Sequence, residues 1–351
     1  LNPEGSVITT AHLYLVKLAL DTRAYDAVLP LVEKPILYFP SSKEQPKLKY
    51  LCEAGLSPAQ YITVSSGITV KTRPIDIMEY FLYSGMVFIG LRRWEQALDC
   101  LESAITYPAT NGAVSKVMVE AYKKWVLVSI LLEGKARPLP RTTSAAAAKA
   151  YHAIGKPYEA IASIFETGTA TRLKAEVEFG QGVWTHDCNI GLIFNILAAY
   201  QKWQIRNLGK VYSKISIPEI LNLTMSAETG AKLAGPTDME ALLRSMIEEG
   251  SLYATMSNTS GEPAVLTFQT AGPVLTEPQM QAELAAATER ILNVTQHIKQ
   301  TDRALTHEKE YLAHLKKQKA SASKFLTADQ GIGGDMDWNT LEEEELMSGV
   351  F

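Results

Sequence analysis

The residues of this chain that could do chemistry are few, and each set stops short of a complete constellation. His307–Glu308 opens an HExxH pattern, in which two imidazoles one helical turn apart hold zinc and the glutamate activates a water. The fifth position is Tyr311, so the second imidazole is absent. His186 and Cys188 pair two metal donors, but no second pair follows at the spacing a tetrahedral site needs. No His-x-His pair and no phosphate-cradling Walker loop occur. Gly180 and Gly182 in FGQGVWT lack the third glycine of a dinucleotide fingerprint, and no strand leads into them. These gaps predict a chain that is not an enzyme, with no catalytic residues, no metal site and no cofactor.

Charge supplies one more feature. Lys202, Arg206, Lys210 and Lys214 recur every fourth residue, and no acid lies between Asp187 and Glu219. On one continuous helix this spacing makes a positive stripe. It reads either as a solvated face or as a dock for an acidic partner surface. The chain as a whole carries a net charge of −4 over 351 residues, so no global basic excess drives binding to phosphate.

The bulk numbers describe an ordinary cored protein, 46% hydrophobic and 21% charged. Cys52, Cys100 and Cys188 are far apart and odd in number, which predicts buried small hydrophobes in a reducing compartment rather than a disulfide framework. The longest apolar run, Trp125–Leu132, is too short to span a bilayer and reads as a core helix. No signal peptide is visible, and no membrane partner is expected. The chain begins at Leu1 in mid-pattern, which suggests a missing N-terminal segment.

The elements that carry these residues fall into three kinds. The first half is a series of helical pairs. Residues 76–108 show it best: Ser84 and Gly85 are small residues flanked by Phe81 and Phe88. A break near Arg92–Arg93 follows, then a second helix with Ala97, Leu101 and Ala104, ended by Pro108. This is close to the tetratricopeptide (TPR) pattern, in which small residues let two helices approach and bulky ones fill the groove between repeats. Weaker copies run over 10–31, with a break at Asp21–Arg23, and over 145–165, where the alanine run starts a helix. Three imperfect pairs predict an irregular α-solenoid, an architecture that presents protein-binding surfaces. Breaks are expected at 40–47 and 136–144.

After about residue 190 the pattern changes. NIGLIFNILAAYQKW (189–203) is a long apolar helix, followed by a helix around Ile205–Tyr212. Ser216 and Glu219 have the spacing of a capping box at the next helix, and Thr237 and Glu240 repeat it. Met239, Leu242, Leu243, Met246 and Ile247 form one apolar face, stopped by Gly250. Two strands follow, Leu252–Met256 and Ala264–Phe268, joined by NTSGEP. Three short helices and a hairpin are a winged helix. Its candidate recognition helix and wing carry Asp238, Glu240, Glu248, Glu249 and Glu262 against Arg244 alone. A groove-reading element needs the opposite balance, so nucleic acid is not the expected partner.

Residues 276–319 read as one helix roughly 65 Å long. Met280, Leu284, Ala287, Ile291, Val294, Ile298, Thr301, Leu305, Glu308, Leu312 and Leu315 alternate spacings of four and three. Leu or Ile holds every seventh position from Leu284 through Ile291, Ile298 and Leu305 to Leu312. A seam this long predicts packing against helices of other chains. The tail is Gly-rich at 331–334, then acidic through Asp335, Asp337 and Glu342–Glu345, the composition of a flexible segment.

Helical repeats, a winged helix and a long terminal helix are the layout of the PCI-domain family, whose members build the proteasome lid, the COP9 signalosome and translation initiation factor three. The chain resembles that family, and its signalosome branch most closely. The carrying segments are YSGMVFIGLRRWEQALDCLESAITYPA (83–109), VMVEAYKKWVLVSILLEGK (117–135), AYH (150–152) and LAGPTDMEALLRSMIEEGSLYATM (233–256), which together span most of 75–270. The resemblance implies a mainly α fold: a TPR-like α-helical solenoid, then a winged-helix (PCI) module, then a long C-terminal helix. It divides the chain into repeats at 1–190, the winged-helix part at 191–272 (the whole PCI domain being about 76–272), the long helix at 273–320 and the tail at 321–351. It also implies a non-catalytic scaffold subunit, in the cytoplasm and nucleus, of a complex that removes Nedd8 from cullins and so regulates cullin–RING ubiquitin ligases. The isopeptidase zinc site of that complex lies in another subunit. Other PCI subunits are the implied partners, with cullin–RING ligases engaged indirectly.

By position, Leu252, Tyr253, Ala254, Thr255, Met256, Val265 and Phe268 fall to the winged-helix edge. Leu284, Ile291, Val294, Ile298, Leu305 and Leu312 fall to the inter-subunit helical bundle. Two other assignments stay open at this point: a subunit of the proteasome lid, or an RNA-binding PCI protein of translation initiation or mRNA export.

Overall fold

A computed structural model of the chain describes residues 6–40, 61–108, 114–257, 264–269, 276–306, 311–313 and 315–317. The breaks between the first helices come from single residues forced into the left-handed region. Helices α1 (Thr10–Thr22) and α2 (Tyr25–Val32) are separated at Arg23, with φ 57°. Helices α3 (Pro74–Gly90) and α4 (Trp94–Ile105) are separated at Arg92, with φ 58°. Gly85 explains the close approach of the second pair. A Cβ placed there would meet Leu101 Cγ at 2.9 Å, so only the missing side chain lets α3 lie on α4.

Helix α5 (Lys116–Glu133) starts at Ser115, whose hydroxyl accepts from Met118 N–H, and stops at Gly134, with φ 73°. Every residue from Ala121 to Ile130 is buried, which makes the expected core helix the centre of the solenoid. It packs against α4, against α7 (Lys156–Thr167) and against α10 (Ile190–Leu208). Helix α6 (Ala145–Ile154) begins on the alanine run behind Ser144, whose hydroxyl accepts from Ala147 N–H. Helices α8 (Ala170–Phe179) and α9 (Gln181–His186) complete the series, and 136–144 is the expected irregular stretch. The proposed break at 40–47 lies outside the described residues except for Pro40.

Strand β1 (Lys214–Ser216) leads into α11 (Ile217–Leu223), α12 (Pro236–Glu248), β2 (Ala254–Ser257) and β3 (Val265–Phe268). The winged helix thus has its own core, built on Ile205, Ile215, Ile217, Ile220, Met239, Leu243, Met246, Leu252, Ala254 and Leu266. The Ser216–Glu219 capping box forms, and Gly250, with φ 68°, lets the chain turn from α12 towards β2.

Four expectations are corrected. Helix α10 runs unbroken to Leu208 and does not give way to a separate helix around 205–212, because Leu192, Ile193, Ile196, Leu197 and Tyr200 join the solenoid core while Ile205 joins the winged-helix core. The N-cap of α12 is Gly235, with Pro236 in the first turn, so Thr237 and Glu240 lie inside the helix. Strand β1 is a third strand that the sequence pattern did not announce. The second strand starts at Ala254 rather than Leu252.

Residues 1–272 form one unit and 273–351 a second. In the second unit, α13 spans Glu277–Thr306, and residues 311–313 and 315–317 are also helical. His307, Glu308 and the acidic tail lie outside the described residues.

Candidate partner-docking surfaces

The sheet order is β1-β3-β2, with both pairings antiparallel. The wing strand Val265–Phe268 is therefore central, with a neighbour on each side. It offers no exposed edge, which corrects the expectation for Val265 and Phe268. The free edges belong to β1 and β2. Gln269 N–H donates to Tyr253 O at 2.9 Å, so Tyr253 and Gln269 form a hydrogen-bonded pair. Alternation then makes Thr255 and Ser257 face β3, while the backbone N–H and C=O groups of Ala254 and Met256 face outward.

Side chains on β2 divide the same way. Leu252 and Ala254 are buried in the winged-helix core, Met256 is half-buried against it, and Tyr253 and Thr255 are exposed. Leu252 and Ala254 thus have no side-chain surface to offer a partner. What the edge presents is backbone, flanked by Tyr253 and Thr255.

The acidic character of α12 also has local causes. Glu249 accepts from Lys202 at 2.9 Å and from Ser245 Oγ at 3.0 Å, bonds that lower its pKa from the usual carboxylate value. Arg244 reaches back to Glu240 at 3.4 Å. The helix that would enter a DNA groove keeps its one arginine for itself.

On α13 the heptad row is open. Leu284, Ile291, Val294 and Ile298 are each more than half exposed, as are Met280 and Leu292. Leu312 is exposed on the following helical stretch. The Leu305 side chain lies outside the described residues.

The basic stripe is not one helix face. Lys202 and Arg206 lie on α10, Lys210 lies in the turn beyond its end, and Lys214 lies in β1. Lys202 is already engaged by Glu249, and the Arg206 guanidinium stacks on the Trp203 ring at 4.6 Å.

Among the described residues, no group of three His, Cys, Asp or Glu side chains could hold a metal ion, and no helix is long and apolar enough to cross a membrane. Cys188 is exposed, against expectation, in a left-handed turn at φ 56° that ends α9. Cys100 meets the expectation only in part, being half-buried, with a thiol pushed up to about 12 by desolvation, and Cys52 lies outside the described residues.

The polar cluster around that turn went unseen in the sequence. Lys123 donates to Asp187 Oδ2 at 2.7 Å and to Glu120 at 2.9 Å. Lys124 reaches Asn189 Oδ1 at 2.8 Å and Glu120 at 3.3 Å. Tyr158 OH donates to Asp187 at 2.7 Å and accepts from Asn189 Nδ2 at 2.9 Å. Burial alone would lower the Lys123 pKa and raise that of Asp187, but these bonds outweigh it and shift both the other way. The cluster ties α5 and α7 to Asn189, the N-cap of α10, so it fixes the root of the helix that both cores share.

Comparison with known proteins agrees with this architecture. A family model described as COP9 signalosome complex subunit 3, N-terminal helical repeats, matches residues 1–147. The chain is 38% identical over 357 residues to the COP9 signalosome complex subunit 3 of Neurospora crassa, an alignment covering 100% of this chain and 72% of that protein. It is 33% identical over 348 residues to the protein of the same description from Emericella nidulans, covering 96% of this chain and 69% of that one.

Proposed function

The chain belongs to the COP9 signalosome complex subunit 3 family, and from that premise we propose that it is a non-catalytic scaffold subunit of the signalosome, working in the cytoplasm and nucleus. The complex deneddylates cullins and so regulates cullin–RING ubiquitin ligases. Its zinc isopeptidase site lies in another subunit. This chain contributes position: the solenoid holds the winged helix, the winged helix offers its sheet edge to neighbouring PCI subunits, and α13 joins a helical bundle.

The observation that carries the reading is the open apolar row on α13. Burying one such side chain is worth about 1.5–3 kcal/mol, so leaving Leu284, Ile291, Val294 and Ile298 in water forgoes a large stabilisation that partner helices would recover. Assembly of the chain carrying Ile291→Asp and Ile298→Asp tests it. The variant is expected to fall out of the complex in sedimentation while its solenoid keeps the wild-type circular dichroism and melting point. A complex that sediments unchanged refutes the bundle.

A further inference from the structure

We propose that the elbow between α10 and β1 docks an acidic, apolar-bearing segment of another subunit. Four consecutive hydrogen bonds build this elbow: Gly209 N–H to Arg206 O, Lys210 N–H to Asn207 O, and both Val211 and Tyr212 N–H to Leu208 O. Gly209 sits against the Phe268 ring, where a Cβ would come within 2.9 Å, so the turn is pinned to the central strand. A surface this constrained loses little entropy when it binds.

Its charges are unspent. Among the described residues, no carboxylate pairs with Arg206, Lys210 or Lys214, whereas Lys202, one turn earlier, is taken by Glu249. Arg206 is held in place by Trp203, which presents its guanidinium ready-made. Exposed apolar groups lie among the cations: Val211 is 78% and Tyr212 41% exposed. Lys210 and Trp203 also line a cleft of about 570 Å³ with Leu223, large enough to take an apolar side chain.

The pattern favours a protein segment over nucleic acid. Glu166 lines the same cleft as Lys210, beside Glu133, which Arg137 already engages, and a continuous phosphate backbone crossing it would meet the Glu166 charge. A peptide can set its carboxylates on Arg206, Lys210 and Lys214 and place apolar or basic residues opposite Glu166. The free edge of β1 beside Lys214 lets the segment lie extended.

The proposal needs the assembled complex, whose integrity is read separately by sedimentation. In the intact complex, Lys210 and Lys214 are expected to resist acetylation relative to the isolated chain. A carbodiimide, which joins amines to carboxylates in contact, is expected to link them to an Asp- or Glu-containing peptide of another subunit. Arg206→Glu, which keeps both lysine amines and should leave the melting point unchanged, should lower the cross-linking of that peptide to Lys210 and Lys214 about tenfold. Lys202→Gln should leave it intact. Equal acetylation of both lysines in an intact complex and in the free chain overturns the proposal. So does binding of a single-stranded RNA oligonucleotide that the triple variant Arg206→Glu, Lys210→Glu, Lys214→Glu abolishes, which would assign the elbow to nucleic acid.

Discussion

The Lys124 ammonium donates to Asn189 Oδ1 at 2.8 Å across 65 residues of sequence, and this buried contact anchors the N-cap of the helix shared by both cores. Asn189 has no surplus partners: its amide spends Nδ2 on Tyr158 and Oδ1 on Lys124. Lys124→Met therefore leaves a buried acceptor unsatisfied and should cost about 1–3 kcal/mol in urea unfolding. Asn189→Leu alone should cost a similar amount. The double variant should cost less than the sum by about 1 kcal/mol or more, since the two side chains share one interaction. Strict additivity would show that the contact is not coupled.

The same cluster sets a pH window. The Asp187 pKa is lowered in the folded chain, so its contribution to stability is present above the unfolded carboxylate value of about 4 and is lost as pH falls through the folded value. The Lys123 pKa is raised, so its contribution is present below the unfolded amine value of about 10.4 and fades as pH rises through the folded value. Stability from this cluster should be flat between those limits. Asp187→Asn should be less stable than wild type at neutral pH, and the gap should narrow below about pH 4. A gap independent of pH would place the effect in packing instead.

Gly85 tests the solenoid. Alanine in its place gains up to about 1 kcal/mol of helix propensity, but its Cβ must displace the buried Leu101 side chain, an overpacking cost of about 1–3 kcal/mol. Gly85→Ala should be destabilised by about 1 kcal/mol, and Gly85→Val by several, in denaturant melts. A stabilised alanine variant would mean that α3 and α4 can part at no cost.

What the sequence made legible was local. The helix pairs could be read from their period, from Gly85 and from the breaks at Arg23 and Arg92, because each signal falls within a few residues of its effect. The open row on α13 was legible for the same reason. Strand β1 was missed because three residues carry no period of their own; pairing with Thr267, Leu266 and Val265 makes it a strand. The central place of β3 depends on that missed partner, so an exposed edge was assigned to β3 as well as to β2, and of those two only β2 has one. The basic stripe failed because period four was extended past the end of α10 at Leu208. In EAYKKW nothing local signals that the two lysines are buried; Asp187 and Asn189, which offset the cost of burying them, lie more than sixty residues away.

The alternation on β2 separates assembly from folding at neighbouring residues. Thr255 faces β3, paired with Thr267, so Thr255→Pro removes a ladder hydrogen bond and should unfold the wing. Met256 points its N–H outward, so Met256→Pro leaves the ladder to β3 intact and removes a donor that only an added strand would use. Its half-buried side chain lies against the winged-helix core, so some stability is lost, about 1–2 kcal/mol for the missing thioether. Met256→Ala carries that packing loss while keeping the N–H, and it is the proper reference. If the β2 edge pairs with a neighbouring subunit, Met256→Pro should lose that neighbour in co-purification while Met256→Ala retains it, at similar melting points. Retention of the neighbour by both variants would move the contact off β2, leaving the outer side of β1 as the edge that pairs.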